Sequence, residues 1–190
     1  RFSSERFYQG ELKSAPDVKY RSILDYDTPI EWINTEGMEC NEEFVGESFG
    51  RINKEEAALS ISQLTNYINK IGKDRFLEER IDVGLISPYK AQVQYLRQLI
   101  KRDAFFKPYR HLITINTVDG FQGQERDVIL ISLVRANEEG QIGFLNDLRR
   151  MNVAITRARM KLIILGDAST LTKHPFYKKL YEYIYSLQTH

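Results

Sequence analysis

Residues 149–159 are rich in arginine, a residue whose side chain can bind a phosphate and neutralise its charge. The segment reads RRMNVAITRAR and holds four of them. A guanidinium group donates two parallel hydrogen bonds to phosphate oxygens and neutralises the charge that develops during phosphoryl transfer. On one regular helix Arg157 and Arg159 would lie about 200° apart, so only one could serve a given phosphate and the other would be structural. The alternative is a solvated basic helix face.

A second polar stretch, NTVDGFQGQERD at residues 116–127, separates two aliphatic runs. Gly120 and Gly123 lack a Cβ, so a ligand can approach the backbone beside them. Backbone N–H groups near Gly123, with the side chains of Gln122 and Glu125, could bind the phosphates and ribose of a nucleotide. The alternative is a simple turn between two strands.

A third polar stretch, ISPYKAQV at residues 86–93, combines a hydroxyl with a predicted helix start. Ser87 is the predicted N-cap and Pro88 the first helical residue. The positive end of a helix beside a hydroxyl suits a phosphate, although a cap without any ligand is the alternative.

Five short apolar runs are predicted to be the strands that position these stretches. They are residues 30–34, 83–87, 112–116, 128–133 and 162–165. Most are continuously hydrophobic, which is typical of parallel strands covered on both faces. Ligands of open parallel sheets bind at the carboxyl ends of strands, so we expect all three polar stretches to lie there.

Helical patterns lie between the predicted strands and indicate a doubly wound α/β sheet. One helix is predicted to start at Asn53 with Glu56 as its reciprocal capping partner. Others follow Ser87, cover residues 146–158, and follow Pro175, after which Phe176, Leu180, Tyr183 and Leu187 should face inward.

Length and composition are those of one ordinary globular domain spanning residues 1–190, with a less regular segment at 1–48. The chain has 190 residues, 42% hydrophobic and 28% charged, and a net charge of +1 that neither requires nor forbids a nucleic-acid partner. Cys40 is the single cysteine, and no stretch reaches the apolar length of a membrane span. We therefore expect a cytoplasmic location and no membrane partner. The opening residues indicate a piece of a longer protein.

Together and in this order, the three polar stretches resemble motifs IV, V and VI of superfamily 1 helicases. The most similar branch contains the nonsense-mediated-decay and immunoglobulin-switch-region helicases. In addition, RFSSERFYQGEL resembles the segment after motif III, and GRINKEEA resembles the approach to motif IV. The resemblance covers almost the whole chain. It implies the second, C-terminal RecA-like domain, an α/β fold of the P-loop-NTPase type with a doubly wound, mainly parallel sheet and helices on both faces.

In that family two RecA-like domains enclose ATP, and single-stranded DNA or RNA runs across both. The resemblance implies that Arg157 is the arginine finger that reaches the γ-phosphate. It implies three residues that line the nucleotide, namely Gln122, Gly123 and Glu125. It implies four residues that contact the strand, namely Ser87, Tyr89, Thr117 and Asp119. The family often has threonine where Ser87 stands.

No G-x-x-x-x-G-K-[ST] phosphate loop occurs in the chain. We therefore expect that ATP hydrolysis needs a preceding N-terminal RecA-like domain, which would also supply the Mg²⁺ ligands. The histidines have no metal-ligand spacing, so no metal site is predicted here. The stretch FFKPYRH at residues 105–111 could stack on bases or simply pack. Two other functions stay open: a nucleic-acid-binding or regulatory module without a motor, and a receiver-like signalling domain.

Overall fold

A five-stranded, fully parallel sheet forms the centre of the molecule. The computed structural model describes residues 27–46, 50–121 and 123–188. Seven strands occur in these residues: β1 (Ile30–Asn34), β2 (Glu43–Phe44), β3 (Arg51–Ile52), β4 (Val83–Ile86), β5 (Ile113–Asn116), β6 (Arg126–Ser132) and β7 (Ala158–Gly166). The sheet has the order β1-β7-β6-β4-β5, and β2 and β3 form a separate antiparallel pair.

Helices cover both faces of this sheet. The α-helices in the described residues are α1 (Lys54–Ile71), α2 (Lys73–Glu78), α3 (Lys90–Arg102), α4 (Leu148–Ile155), α5 (Ala168–Leu171) and α6 (Pro175–Gln188). The first three pack on one face and the last three on the other. None of the described helices is long and apolar enough to span a bilayer. The predicted doubly wound α/β fold is confirmed.

Alternate residues of the central strand β6 feed two separate cores. Val128 and Leu130 contact the α1–α3 side, whereas Ile129 and Ile131 contact the α4–α6 side, and all four are buried. A strand buried on both faces needs apolar residues at every position, because successive side chains point to opposite faces. This explains the continuous hydrophobic runs in the sequence.

Two predicted helix boundaries are wrong. Helix α3 starts at Lys90, and Tyr89 occupies its N-cap position without a side-chain cap, so Ser87 is not the cap. Helix α4 ends at Ile155 rather than at residue 158. The chain then enters β7, because the Arg126 N–H donates to the Arg157 carbonyl at 2.9 Å and starts the pairing with β6. The helical stripe of α6 is confirmed for Phe176 and Leu180, and Tyr183 and Leu187 pack against the core only partly buried.

The start of α1 differs from the predicted reciprocal cap. The Asn53 side chain accepts from the Glu56 N–H at 3.0 Å, as predicted. However, the Asn53 N–H donates to Gln92 Oε1 at 2.9 Å instead of to Glu56. The Glu56 carboxylate reaches across to the end of β6, where it accepts from Ser132 Oγ at 2.6 Å and from the Val134 N–H at 2.7 Å.

Glu56 is therefore a buried acid that joins α1 to the end of β6. Its side chain has no solvent exposure, and its second oxygen, Oε2, has no hydrogen-bond partner. Burial raises the pKa of Glu56 to about 7, more than the hydrogen bonds from Ser132 and Val134 lower it. Near neutral pH this carboxyl group still holds a proton for part of the time.

We predict that the stability of the domain falls as the pH rises from 4.5 to 7 because of Glu56. The pKa of Glu56 is higher in the folded chain than its ordinary value of 4.5, so the folded chain binds the proton more tightly than the unfolded chain does. The stabilisation that results is fully present below pH 4.5 and is lost as the pH rises to about 7. At about 1.4 kcal/mol per pH unit, the loss amounts to about 3 kcal/mol. Urea unfolding at a series of pH values measures it. In Glu56→Gln, which cannot ionise, this slope should vanish, and an unchanged slope would show that other groups cause it.

Candidate functional site

The predicted site residues lie at two opposite edges of the sheet. Ser87 and Thr117 follow β4 and β5 at the carboxyl edge, whereas Glu125 precedes β6 and Arg157 precedes β7 at the amino edge. The expectation that all three polar stretches share the carboxyl edge is therefore wrong. In a parallel sheet the chain must return across the sheet between successive strands, so each connection touches both edges.

Arg157 stands in the turn between α4 and β7 with part of its guanidinium group free. Its Nε donates to the Val153 carbonyl at 3.1 Å and its Nη2 to Thr156 Oγ1 at 3.3 Å. No carboxylate of the described residues forms a salt bridge with it. The side chain is half-buried. A guanidinium group that has no carboxylate partner and keeps Nη1 without a hydrogen bond can bind an anionic ligand.

Arg159, in contrast, is fully engaged by carboxylates. Its Nη2 contacts both oxygens of Asp82 at 2.9 and 3.1 Å, and its Nε donates to Asp127 Oδ1 at 3.0 Å. Burial alone would lower the pKa of Arg159, but the hydrogen bond to Asp127 and the charge of Asp82 raise it above its ordinary value. Arg159 lies on a strand, so the helical angle between the two arginines does not apply. The structural arginine of the pair is Arg159.

Glu125 lies next to Arg157 at the amino edge, and Gly123 stands two residues before Glu125 in the chain. The hydrogen bond from the Arg126 N–H to the Arg157 carbonyl makes the two strand starts neighbours. Gly123 has a φ of +73°, a backbone conformation that favours glycine, and a Cβ there would meet no atom within 4 Å. Glu125 is exposed. Gln122 lies outside the described residues.

A 3₁₀ helix, Val118–Phe121, leads from the carboxyl edge towards the amino edge. Val118 and Phe121 are buried, so this link is packed onto the sheet. Gly120 lies against the Asn116 side chain, and a Cβ at this position would stand 2.1 Å from Asn116 Nδ2. Here glycine is needed for the close approach. The link is a packed element with a fixed path.

The link is also tied to the arginine-rich segment. Asp119 on the 3₁₀ helix forms a salt bridge of 3.2 Å with Arg150 of α4. Both side chains are more than half exposed, so the pair contributes about 0 to 1 kcal/mol to stability. The position of this salt bridge matters more than its energy, because it joins the 3₁₀ helix to α4. Thr117, just before the link, is half-buried at the carboxyl edge.

Ser87 and Tyr89 are buried, so neither side chain can contact a nucleic-acid strand in this conformation. Ser87 Oγ accepts from the Tyr89 N–H at 3.4 Å. The Tyr89 hydroxyl donates to the Ile142 carbonyl at 3.3 Å and accepts from Arg135 at 3.3 Å, and its ring stacks on Phe144 at 4.9 Å. These contacts make Tyr89 a core residue.

Phe44 and Phe144 are two of the exposed aromatic side chains. Phe144 is 53% exposed although one face stacks on Tyr89, and Phe44 is 61% exposed with the Arg51 guanidinium 4.6 Å from its ring centre. Neither lies in a pattern that marks it from sequence. By contrast, the stretch FFKPYRH packs, because Phe106 and Tyr109 are buried.

A polar crevice of about 620 Å³ opens at the carboxyl ends of β1, β6 and β7. Its walls include three carboxylates, Glu39, Glu138 and Asp167, and one lysine, Lys173. An excess of negative charge does not suit a phosphate. In the described parts of the chain, no three His, Cys, Asp or Glu side chains come together as metal ligands.

The amino-acid sequence is similar to those of known proteins, and this similarity shows the family of the chain. The profile of the AAA domain family matches residues 1–169. The chain belongs to this family. Its curated relatives are helicases of superfamily 1, of the kind whose motifs IV, V and VI the sequence resembles.

Three of these relatives show how much of each protein is shared. The chain is 36% identical over 187 residues to the probable helicase MAGATAMA 3 of Arabidopsis thaliana, covering 95% of this chain and 22% of that protein. It is 34% identical over 188 residues to the DNA polymerase alpha-associated DNA helicase A of Saccharomyces cerevisiae, covering 90% of this chain and 26% of that protein. It is 35% identical over 189 residues to the regulator of nonsense transcripts 1 homolog of Drosophila melanogaster, covering 94% of this chain and 15% of that protein. The chain thus spans about a quarter or less of these relatives.

Among solved structures, the C-terminal domain of a possible DNA helicase from a Lactobacillus is similar. It superposes with a TM-score of 0.43 at 14% identity, covering 80% of this chain and 83% of that one. A likeness of this size carries no argument. The fold is established by the parallel sheet itself.

We predict that Gly120→Ala destabilises the domain and displaces the link between the edges. The new Cβ would overlap the Asn116 side chain, and overpacking of this kind costs about 1 to 3 kcal/mol. Gly123→Ala is the matched control, because it adds the same methyl group in open space and strains only the backbone, at about 1 kcal/mol. Urea unfolding of both variants measures the difference. Equal destabilisation would show that the link tolerates the added volume.

Proposed function

We propose that this chain is the second motor domain of an ATP-dependent helicase. Its amino edge would complete the ATP site, and its carboxyl edge would bind single-stranded DNA or RNA. The observation that carries the proposal is Arg157, a guanidinium group without a carboxylate partner in the described residues, at the strand start next to Glu125 in a chain of a helicase family. The proposed ATP site is incomplete here, because the sequence has no phosphate loop.

Arg157 is the proposed arginine finger. In the present conformation Val153 and Thr156 hold Nε and Nη2, and Nη1 has no hydrogen-bond partner among the described residues. When a preceding domain closes on this edge with ATP bound, Nη1 would donate hydrogen bonds to the γ-phosphate oxygens. It would stabilise the negative charge that spreads over them as the bond to the leaving group breaks.

The preceding domain supplies the other half of the chemistry in this proposal. A phosphate loop and the Mg²⁺ ligands would belong there. Gly123 leaves its backbone open to a ligand, and Glu125 offers a carboxylate that can accept hydrogen bonds from ribose hydroxyls. Of the predicted nucleotide-lining residues, these two can serve as the geometry stands.

The proposed strand site lies at the carboxyl edge around Thr117. Its side chain is half-buried, and a threonine hydroxyl can donate a hydrogen bond to a phosphate oxygen. Asp119 would repel a phosphate directly, and its salt bridge with Arg150 favours a different role, which would be to connect the link to α4. Ser87 and Tyr89 would contribute indirectly, because their buried side chains support the backbone at the end of β4.

The link between the edges would couple the two sites. Its 3₁₀ helix is packed against the sheet through Val118 and Phe121, so residues 118–121 would move as a unit. Closure of the interdomain cleft on ATP would press on the amino edge. The same movement would displace Thr117 at the other end of the link. Its hydrogen bond to the nucleic-acid strand would then change.

We predict that Arg157→Ala in the full-length protein lowers the rate of ATP hydrolysis by about 10³-fold or more while binding of a single strand persists. Loss of the guanidinium removes charge stabilisation from the transition state but touches no residue of the carboxyl edge. Steady-state ATP turnover and fluorescence anisotropy with labelled single strands measure the two effects. Arg149→Ala, at an exposed arginine on the preceding helix α4, is the control and should keep normal turnover. Normal turnover in Arg157→Ala would refute the proposal.

A comparison of this 190-residue chain with the full-length protein separates a motor from a binding module. We expect hydrolysis in the full-length protein alone, stimulated by single-stranded DNA or RNA, because the short chain has no phosphate loop. If the full-length protein binds strands but does not hydrolyse ATP, the non-motor module is the correct function. The strand that gives greater stimulation identifies the natural class of nucleic acid.

A further inference from the structure

A three-residue ionic cluster at the amino edge joins the starts of β4, β6 and β7. Arg159 binds Asp82 through two contacts of 2.9 and 3.1 Å and Asp127 through one of 3.0 Å. The two aspartates also hold each other's backbones. The Asp127 N–H donates to Asp82 Oδ1 at 2.6 Å, and the Asp82 N–H donates to Asp127 Oδ2 at 3.2 Å. Neither the resemblance nor the proposed ATP site uses this cluster.

The cluster lies where the pairing of β6 with β7 changes register. Arg126 pairs with Ala158, but Val128 pairs with Lys161, so β7 has one more residue than β6 over this interval. Arg159 lies within the extra length. A bulge of this kind re-aims side chains and needs local contacts to hold it.

We propose that Arg159, held by Asp82 and Asp127, is a positioning residue for Arg157. This inference rests on the proposed function, because it concerns the placement of the proposed arginine finger. Arg159 fixes Asp127, Asp127 adjoins Arg126, and the Arg126 N–H holds the Arg157 carbonyl at 2.9 Å. The guanidinium of Arg157 thereby stands at a defined place on the amino edge.

Removal of Arg159 would act on Arg157 through charge repulsion. Without the arginine, Asp82 and Asp127 would face each other at short range with their charges uncompensated. Like charges at this distance repel, and the start of β4 would part from the start of β6. The strand start that anchors Arg157 would then move. A displacement of about 1 Å in a catalytic group can cost about 100-fold in rate.

The test measures ATP turnover of the full-length protein in a double-mutant cycle. Arg159→Met should lower kcat by about 10- to 100-fold and leave KM for ATP and single-strand affinity within about twofold. Arg157→Ala with Arg159→Met should be no slower than Arg157→Ala alone, because a positioning residue has no effect once its target is gone. Arg159→Lys, which keeps the charge but lacks the planar fork that makes two contacts with Asp82 and one with Asp127, should fall between wild type and Arg159→Met.

Two further variants separate positioning from general stability. Asp82→Asn in the Arg159→Met background removes the repulsion and should restore part of kcat. Arg75→Met breaks another ion pair, 2.8 Å from Arg75 Nε to Glu79 on α2, and should leave kcat unchanged.

Each result of the cycle has a defined meaning. Normal kcat in Arg159→Met, together with an inactive Arg157→Ala, overturns the positioning role and leaves the proposed function intact. Additive losses with a lowered unfolding temperature show that Arg159 only stabilises the fold, which also overturns it. Normal turnover in Arg157→Ala overturns the proposed function, and this inference falls with it.

Discussion

A parallel sheet obliges every connection between its strands to carry the chain from the carboxyl edge back to the amino edge. The rest of the molecule follows from this constraint. The connection after β5 leaves from Thr117 and arrives at Glu125, and the connection after β6 leaves at the carboxyl edge and arrives at Arg157. Each of these two connections is thus a bridge with one end at each edge. A protein that couples two ligands on opposite edges needs segments of this kind.

The two arginines next to Ala158 show how charge pairing assigns different roles to identical side chains. Arg159 meets two carboxylates and its charge is compensated, whereas Arg157 meets a carbonyl and a hydroxyl and its charge is not. A paired arginine stabilises local structure, and an unpaired one beside an open cleft can bind an external anion. The difference arises from Asp82 and Asp127, which lie at the starts of other strands.

The carboxyl edge is stiffened by a buried polar network rather than by apolar packing alone. Glu56 binds Ser132 and Val134, Gln92 binds Asn53 and Ser132, and all the hydrogen-bonding groups except Glu56 Oε2 are satisfied. Such a network fixes the relative positions of α1, α3 and β6 because each of its bonds is directional. The end of β6 at the carboxyl edge is held in place by it. Burial raises the pKa of Glu56 to about 7, which makes this network sensitive to pH.

The sequence by itself determined the fold class, most strand positions, the Asn53 cap and the motifs of the helicase family. These depend on hydrophobic periodicity, local capping and short patterns, which act between residues close in the chain. The tertiary structure alone decided which arginine is free, which edge holds each polar stretch, and that Ser87 and Tyr89 are buried. It also gave Glu56 its partners on β6 instead of the local reciprocal cap. These outcomes depend on contacts such as that of Arg159 with Asp82, 77 residues apart, and local patterns carry no information about pairing over that distance.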